Sequence, residues 1–182
     1  ITADDSVSYG MKLYIEKNQT LYAWSTASGA VEALNGAWPG KTLTATETMS
    51  GHTWYVFDFQ DKESALYILS GGSDTAITQS TWIKADGSKS VIDPYLPTKP
   101  VISVSPGSGT VNDTKGTRTI TIKVTAANAT VDSKSATIGG TALSLTGEEL
   151  TVKLGDYIKN GETKTIKVTA ANSLGTVNKE VT

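Results

Sequence analysis

Arg118-Thr-Ile-Thr-Ile-Lys-Val-Thr125 puts Ile120, Ile122 and Val124 on one side of an extended chain, with Thr119, Thr121 and Lys123 on the other. Period-two alternation with β-branched residues on the apolar side marks a strand that buries one face. The pattern returns over Lys164–Ala170, with Ile166 and Val168 inward. Further strands are expected at Val101–Val104, Ala136–Ile138, Leu143–Leu145, Leu150–Leu154 and Val177–Val181. Gly107-Ser-Gly109, Gly139-Gly140 and Asn160-Gly161 break the chain between them. About seven short strands with regular turn signals predict an antiparallel sandwich of immunoglobulin type. Ile122-Lys-Val-Thr-Ala-Ala-Asn128 and Ile166-Lys-Val-Thr-Ala-Ala-Asn172 share one pattern 44 residues apart. The strands between them argue against a solenoid and for two sandwich strands under similar constraints.

The residues before this region also read as strands, at Met11–Glu16, Leu21–Ser25, Thr42–Thr48, Thr53–Phe59, Ala65–Ser70 and Ser90–Ile92. No helical period is sustained, although Ser28–Leu34 could form one short turn. Composition changes sharply near Pro94. All four Trp, both Phe and six of the seven Tyr fall in residues 1–96, leaving Tyr157 alone in residues 97–182. Net charge is −5 before the boundary and +3 after it. Asp93-Pro-Tyr-Leu-Pro-Thr-Lys-Pro100 carries three prolines and reads as an extended, semi-rigid connector. The expected fold is therefore all-β: two antiparallel β-sandwich domains in tandem, over residues 1–96 and 97–182.

Composition excludes several functions. The 182 residues hold 16 Lys+Arg against 18 Asp+Glu, so no concentrated basic face for nucleic acid is expected. Without Cys there is neither a disulfide framework nor a thiolate metal site. No apolar run approaches the roughly 20 residues of a membrane span. Starting at Ile1 without a leader-like segment, the chain reads as a mature or excised piece.

Serine nucleophiles usually need a base, and the one His, His52, sits in a turn at Ser50-Gly-His-Thr53. Glycoside hydrolysis needs paired carboxylates about 5–10 Å apart across a cleft. Asp58, Asp61, Glu63, Asp74, Asp86 and Asp93 lie mostly in turns, where Asp has a structural role. Asp4-Asp5 and Glu148-Glu149 lack the spaced ligands of a calcium loop. No cofactor or metal is expected. Asn18-Gln-Thr20, Asn112-Asp-Thr114 and Asn128-Ala-Thr130 match the short glycosylation pattern.

The aromatics are the informative feature. In Leu21-Tyr-Ala-Trp-Ser25, Leu21, Ala23 and Ser25 face one way and Tyr22 and Trp24 the other. If the Leu21 face is core, two large rings stand outside, about 7 Å apart along the strand. The pattern leaves open whether they instead pack inside. Trp38 lies in Asn35-Gly-Ala-Trp-Pro-Gly40, where Gly at both ends and Pro after the indole hold the backbone. Trp54, in a segment apolar on both faces, reads as core, and Trp82 reads either as a second edge of the site or as a core cap. Exposed contiguous aromatic surface marks a binding site. A pyranose ring suits it, because an aromatic ring covers the C–H face while polar neighbours meet the hydroxyls. Rings set at an angle suit a curved glucan.

The order Leu13-Tyr-Ile-Glu16, Leu21-Tyr-Ala-Trp24, Gly36-Ala-Trp-Pro-Gly-Lys-Thr-Leu43, Trp54-Tyr-Val-Phe57 and Tyr67-Ile-Leu-Ser70 resembles the family 26 starch-binding carbohydrate modules over about residues 8–95. That resemblance implies a β-sandwich binding α-glucans through Tyr22, Trp24 and Trp38. Where the family has Phe-Asn and a nearby Gln, this chain has Leu69-Ser70, then Gly71-Gly-Ser-Asp-Thr75 and Gln79. Asp74 and Gln79 are the expected hydroxyl contacts. Pro100-Val-Ile-Ser-Val-Ser-Pro-Gly107 and the two Val-Thr-Ala-Ala-Asn segments resemble immunoglobulin-like or fibronectin-like modules following bacterial amylase domains. The resemblance implies an extracellular or bacterial cell-surface protein, monomeric within a larger chain. Its expected partners are starch, amylose, amylopectin and maltooligosaccharides, bound without catalysis. An adhesin or spacer with a protein partner, a small glycoside hydrolase and a β-glucan module are the competing expectations.

Overall fold

The alternating runs become strands, and each buries its apolar face. The computed structural model describes residues 10–112 and 115–182. Asp4-Asp5, and Asp113 and Thr114 of one glycosylation pattern, lie outside the described residues. The chain divides into two compact units, Ile1–Leu96 and Pro97–Thr182. Both are all-β among the described residues, apart from one short 3-10 turn.

The N-terminal unit contains β1 (Lys12–Ile15), β2 (Thr20–Ser25), β3 (Glu32–Ala33), β4 (Lys41–Thr42), β5 (Thr46–Met49), β6 (His52–Asp58), β7 (Ala65–Leu69), β8 (Thr75–Ile77), β9 (Thr81–Ile83) and β10 (Lys89–Ser90). One sheet runs β10-β9-β1-β6-β5, and the other β3-β2-β7-β8 with β4 also on β2. Leu13 and Ile15 of β1, Leu21 and Ala23 of β2, Tyr67 of β7 and Ile77 of β8 share one buried core. Each fully buried Leu or Ile contributes about 1.5–3 kcal/mol relative to exposure.

The all-β fold of two mainly antiparallel units stands, and four details within it differ from expectation. Pairing is not wholly antiparallel: β9 runs parallel to β1, with Leu13 opposite Thr81 and Ile15 opposite Ile83. The chain passes through the second sheet between them, and such a crossover is what lets it return in the same direction. The expected strand Thr42–Thr48 splits into β4 and β5, one in each sheet. At the break, the Asn18 amide accepts from the Leu43 N–H (3.1 Å) and donates to the Leu43 carbonyl (2.9 Å), replacing ladder bonds. Ser28–Leu34 forms turns and β3 rather than a helical turn, with the Leu34 N–H donating to the Ala23 carbonyl at 2.8 Å. The expected connector Asp93–Pro100 is folded over much of its length. Tyr95 Oη donates to Glu16 (2.7 Å), and Asp93 accepts from Ser50 Oγ (2.6 Å) and the Tyr95 N–H (3.0 Å). Thr98 already bonds within the C-terminal unit, its N–H donating to the Ala127 carbonyl at 2.9 Å.

The C-terminal unit contains β11 (Val101–Ser105), β12 (Thr119–Thr125), β13 (Ser133–Ile138), β14 (Thr141–Leu143), β15 (Glu149–Lys153), β16 (Ile166–Asn172) and β17 (Gly175–Val181). Its sheets are β11-β12-β15 and β14-β13-β16-β17, all antiparallel. Ile120, Ile122 and Val124 of β12 meet Ile166, Val168 and Ala170 of β16 in one core. The shared sequence pattern now has a cause. Strands β12 and β16 each lie between two neighbours in their own sheet, so both need one apolar face and a β-rich backbone.

Candidate functional site

On β2 the inward residues Leu21, Ala23 and Ser25 are buried, and Tyr22 and Trp24 stand half-exposed on the opposite face. Tyr22 lies across from Ile68, and Trp24 across from Leu66 of β7 and Ala33 of β3. Leu66 in turn faces Ala76 of β8. The outer face of this sheet is therefore an apolar shelf carrying two large rings. Tyr22 stacks on Trp24, with centroids 5.1 Å apart and planes 26° from parallel. Trp38 meets Tyr22 edge-on at 5.3 Å and 82°, and it is 61% exposed. The structure thus brings Tyr22, Trp24 and Trp38 together.

The loop that presents Trp38 is held from both sides. Asn35 Nδ2 donates to the carbonyls of Leu21 (2.8 Å) and Lys41 (3.0 Å), and the Gly40 N–H donates to the Ala37 carbonyl at 2.7 Å. Gly40 has φ +86°, and a Cβ there would lie 1.9 Å from the Leu21 carbonyl oxygen. Only glycine permits that close approach to β2.

The polar candidates separate. Asp74 is exposed and immediately precedes β8. Extending the β7–β8 register by one residue from the Tyr67–Thr75 pair puts it in line with Ile68 and Tyr22. Gln79 lies beyond the other end of β8. It lines a groove of about 530 Å³ with Tyr67, Thr81 and Lys89, away from the trio.

Trp54 and Trp82 belong to the other sheet. Trp54 is fully buried with Tyr14 and Val56, and Tyr95 and Trp82 pack against them. Trp82 stacks on Tyr14 (4.6 Å, 10°), so it caps this second cluster and does not edge the trio. Folding of Asp93–Leu96 onto the unit supplies the cover, a role that the proline-rich composition concealed. His52 stacks on Tyr95 at 3.4 Å, with its Nδ1 3.7 Å from Glu16. The Ala85 N–H and Tyr95 Oη, both donating to Glu16, hold its carboxyl below the usual range. The same bond to Glu16 raises the Tyr95 phenol. The Lys12 ammonium, bonded to Glu47 at 2.6 Å, is raised by that bond. Burial raises the Tyr14 phenol, with the Glu47 charge adding to it.

The remaining candidate carboxylates mostly structure turns. Asp58 accepts from the Gln60 N–H (2.7 Å) and Asp86 from the Ser88 N–H (2.9 Å) and hydroxyl (2.6 Å). Glu149 lies opposite Lys123 across β12–β15. Among the described residues, no group of three or more His, Asp and Glu gathers as a metal site.

No family model matches the chain. No curated protein matches it. Among solved structures, it is similar to the N-terminal four Ig domains of Dscam1 isoform 6.9, with 9% identity and TM-score 0.35 over 89% of this chain and 36% of that one. It is also similar to the same region of isoform 8.4, with 11% identity and TM-score 0.35 over 100% of this chain and 44% of that one. The chain spans less than half the length of these structures. The all-β fold class stands on the sheets themselves.

Proposed function

We propose that the N-terminal unit binds starch and its α-1,4-linked maltooligosaccharides without cleaving them. One observation carries the proposal: Trp38, 61% exposed, meets Tyr22 edge-on, and Tyr22 stacks on Trp24 above an apolar shelf. Indole and phenol faces take up the apolar side of a pyranose, and rings near right angles suit a chain that curves. Asp74 is the nearest of the two expected polar contacts. The resemblance to family 26 starch-binding modules supports the same three aromatics. With Tyr157 as its one aromatic, the C-terminal unit acts as a spacer. The parent is an extracellular or bacterial cell-surface protein, an amylase or a starch-adherence protein. Several such modules on one chain would add avidity for a polymer.

Retention on insoluble starch, released by maltoheptaose, tests the proposal. No competable retention would overturn it in favour of an adhesin or spacer. Affinity electrophoresis in starch against cellulose derivatives separates α- from β-glucan. Release of reducing sugar from soluble starch would make the unit a hydrolase.

A further inference from the structure

Resting on that glucan-binding proposal, we infer that the bound chain continues past Tyr22 into a polar cleft at the end of the sandwich. There the hydroxyls of Thr20, Thr42 and Ser70 and the amide of Gln19 hold additional sugar units. Thr20 precedes Tyr22 by two residues on β2, so both share the outer face, about 7 Å apart along the strand. Thr42 of β4 is the direct partner of Thr20. On the other side, the Ser70 N–H donates to the Thr20 carbonyl at 2.8 Å. A row of three hydroxyl residues therefore crosses the sheet immediately beside the row of Tyr22 and Ile68.

These three residues, with Lys17 and Gln19, line an open cleft of about 650 Å³ whose lining continues through Ile83 and the β9–β10 turn, including Lys84 and Asp86. That volume lies within the range of about 300–1,000 Å³ found for small-molecule sites. Among the described residues, no side-chain hydrogen bond occupies the hydroxyls of Thr20, Thr42 or Ser70, or the Gln19 amide. The neighbouring Asn18 amide, by contrast, is fully committed to Leu43. A hydroxyl both donates and accepts, and so does a primary amide, so each can serve either role toward a sugar hydroxyl. The aromatic trio offers apolar faces and few polar atoms. The adjoining row supplies the complementary chemistry, and the two together form one continuous track for a neutral polyhydroxylated chain.

Titration calorimetry of the full chain with maltotriose and with maltoheptaose, on the wild type, the Thr20→Val/Thr42→Val double variant and Trp38→Ala, tests this. Valine preserves shape and strand preference, and a thermal melt checks folding. The wild type is expected to bind maltoheptaose at least about ten-fold more tightly than maltotriose. The double variant should lose that increment and keep its maltotriose affinity within about two-fold. Equal affinities of the wild type for the two sugars would overturn the extended track. So would a folded double variant that binds maltoheptaose like the wild type, or one that loses maltotriose equally; in these cases glucan binding itself stands. No glucan binding by the wild type, or none of the expected loss in Trp38→Ala, would sink the aromatic platform and this extension with it.

Discussion

Replacing Trp38 by alanine is expected to weaken glucan binding about ten-fold while leaving the N-terminal unit folded. A tryptophan side chain presents about 150–250 Å². Being 61% exposed, Trp38 leaves about 90–150 Å² open to a ligand. A sugar covers one of the two indole faces, so binding buries about 45–75 Å² of it. At about 25 cal/mol per Å² this is worth about 1.1–1.9 kcal/mol, a loss of about six- to twenty-five-fold in affinity. Stability should change less, because the indole meets Tyr22 edge-on and the rest of it faces water. Losing that contact costs about 0.5–1.5 kcal/mol, a fall of about 2–12 °C in Tm for a unit of this size. Calorimetric titration with maltoheptaose and a thermal melt read the two quantities separately. Unchanged affinity in a folded Trp38→Ala protein would remove this indole from the site and sink the aromatic platform that rests on it. Loss of the fold would instead show that the loop is part of the core.

The opposite behaviour is expected for Trp54→Ala, which opens a cavity in a fully buried cluster and should cost about 3–5 kcal/mol by chemical denaturation. Gly40→Ala should destabilise the N-terminal unit and reduce affinity together, because its Cβ would sit 1.9 Å from the Leu21 carbonyl; a melt paired with a binding titration checks both. The Glu16 carboxyl is held below its usual range by the Ala85 N–H and Tyr95 Oη. A depressed folded value means a stabilising contribution that is present above about pH 4.3 and lost as pH falls through the folded value. Glu16→Gln should flatten that part of the acid limb in pH-dependent melts of the N-terminal unit. Persistence of the same slope would assign it to other carboxylates such as Asp86, which two bonds from Ser88 also hold low.

Much of the strand pattern was legible because alternation is a local property. Leu13, Ile15, Leu21, Ala23, Ile122, Val124, Ile166 and Val168 announce their faces two residues at a time, and all are buried. Strands β8 and β9, of three residues each, are too short to show a period. The passage from β4 to β5 hides a change of sheet, since Lys41–Met49 stays extended in character while Asn18, distant in sequence, takes over the bonds of Leu43. Three prolines masked the tie of Tyr95 to Glu16, a contact spanning 79 positions that composition cannot reveal.

For the candidate site, the amino-acid order alone established that Tyr22 and Trp24 share one face of a strand and that a glycine-flanked loop carries Trp38. Periodicity and backbone permissiveness operate within a few residues. Whether that face turned toward the core or toward water was decided only when β7 paired beside β2 and the Leu21 side met the Leu13 sheet. The same assembly set Trp38 against Tyr22, moved Trp82 to the opposite sheet and brought Thr42 alongside Thr20. These are long-range juxtapositions. They follow from which strands find each other, and that choice is made by the burial of the whole unit, not by any short segment of it.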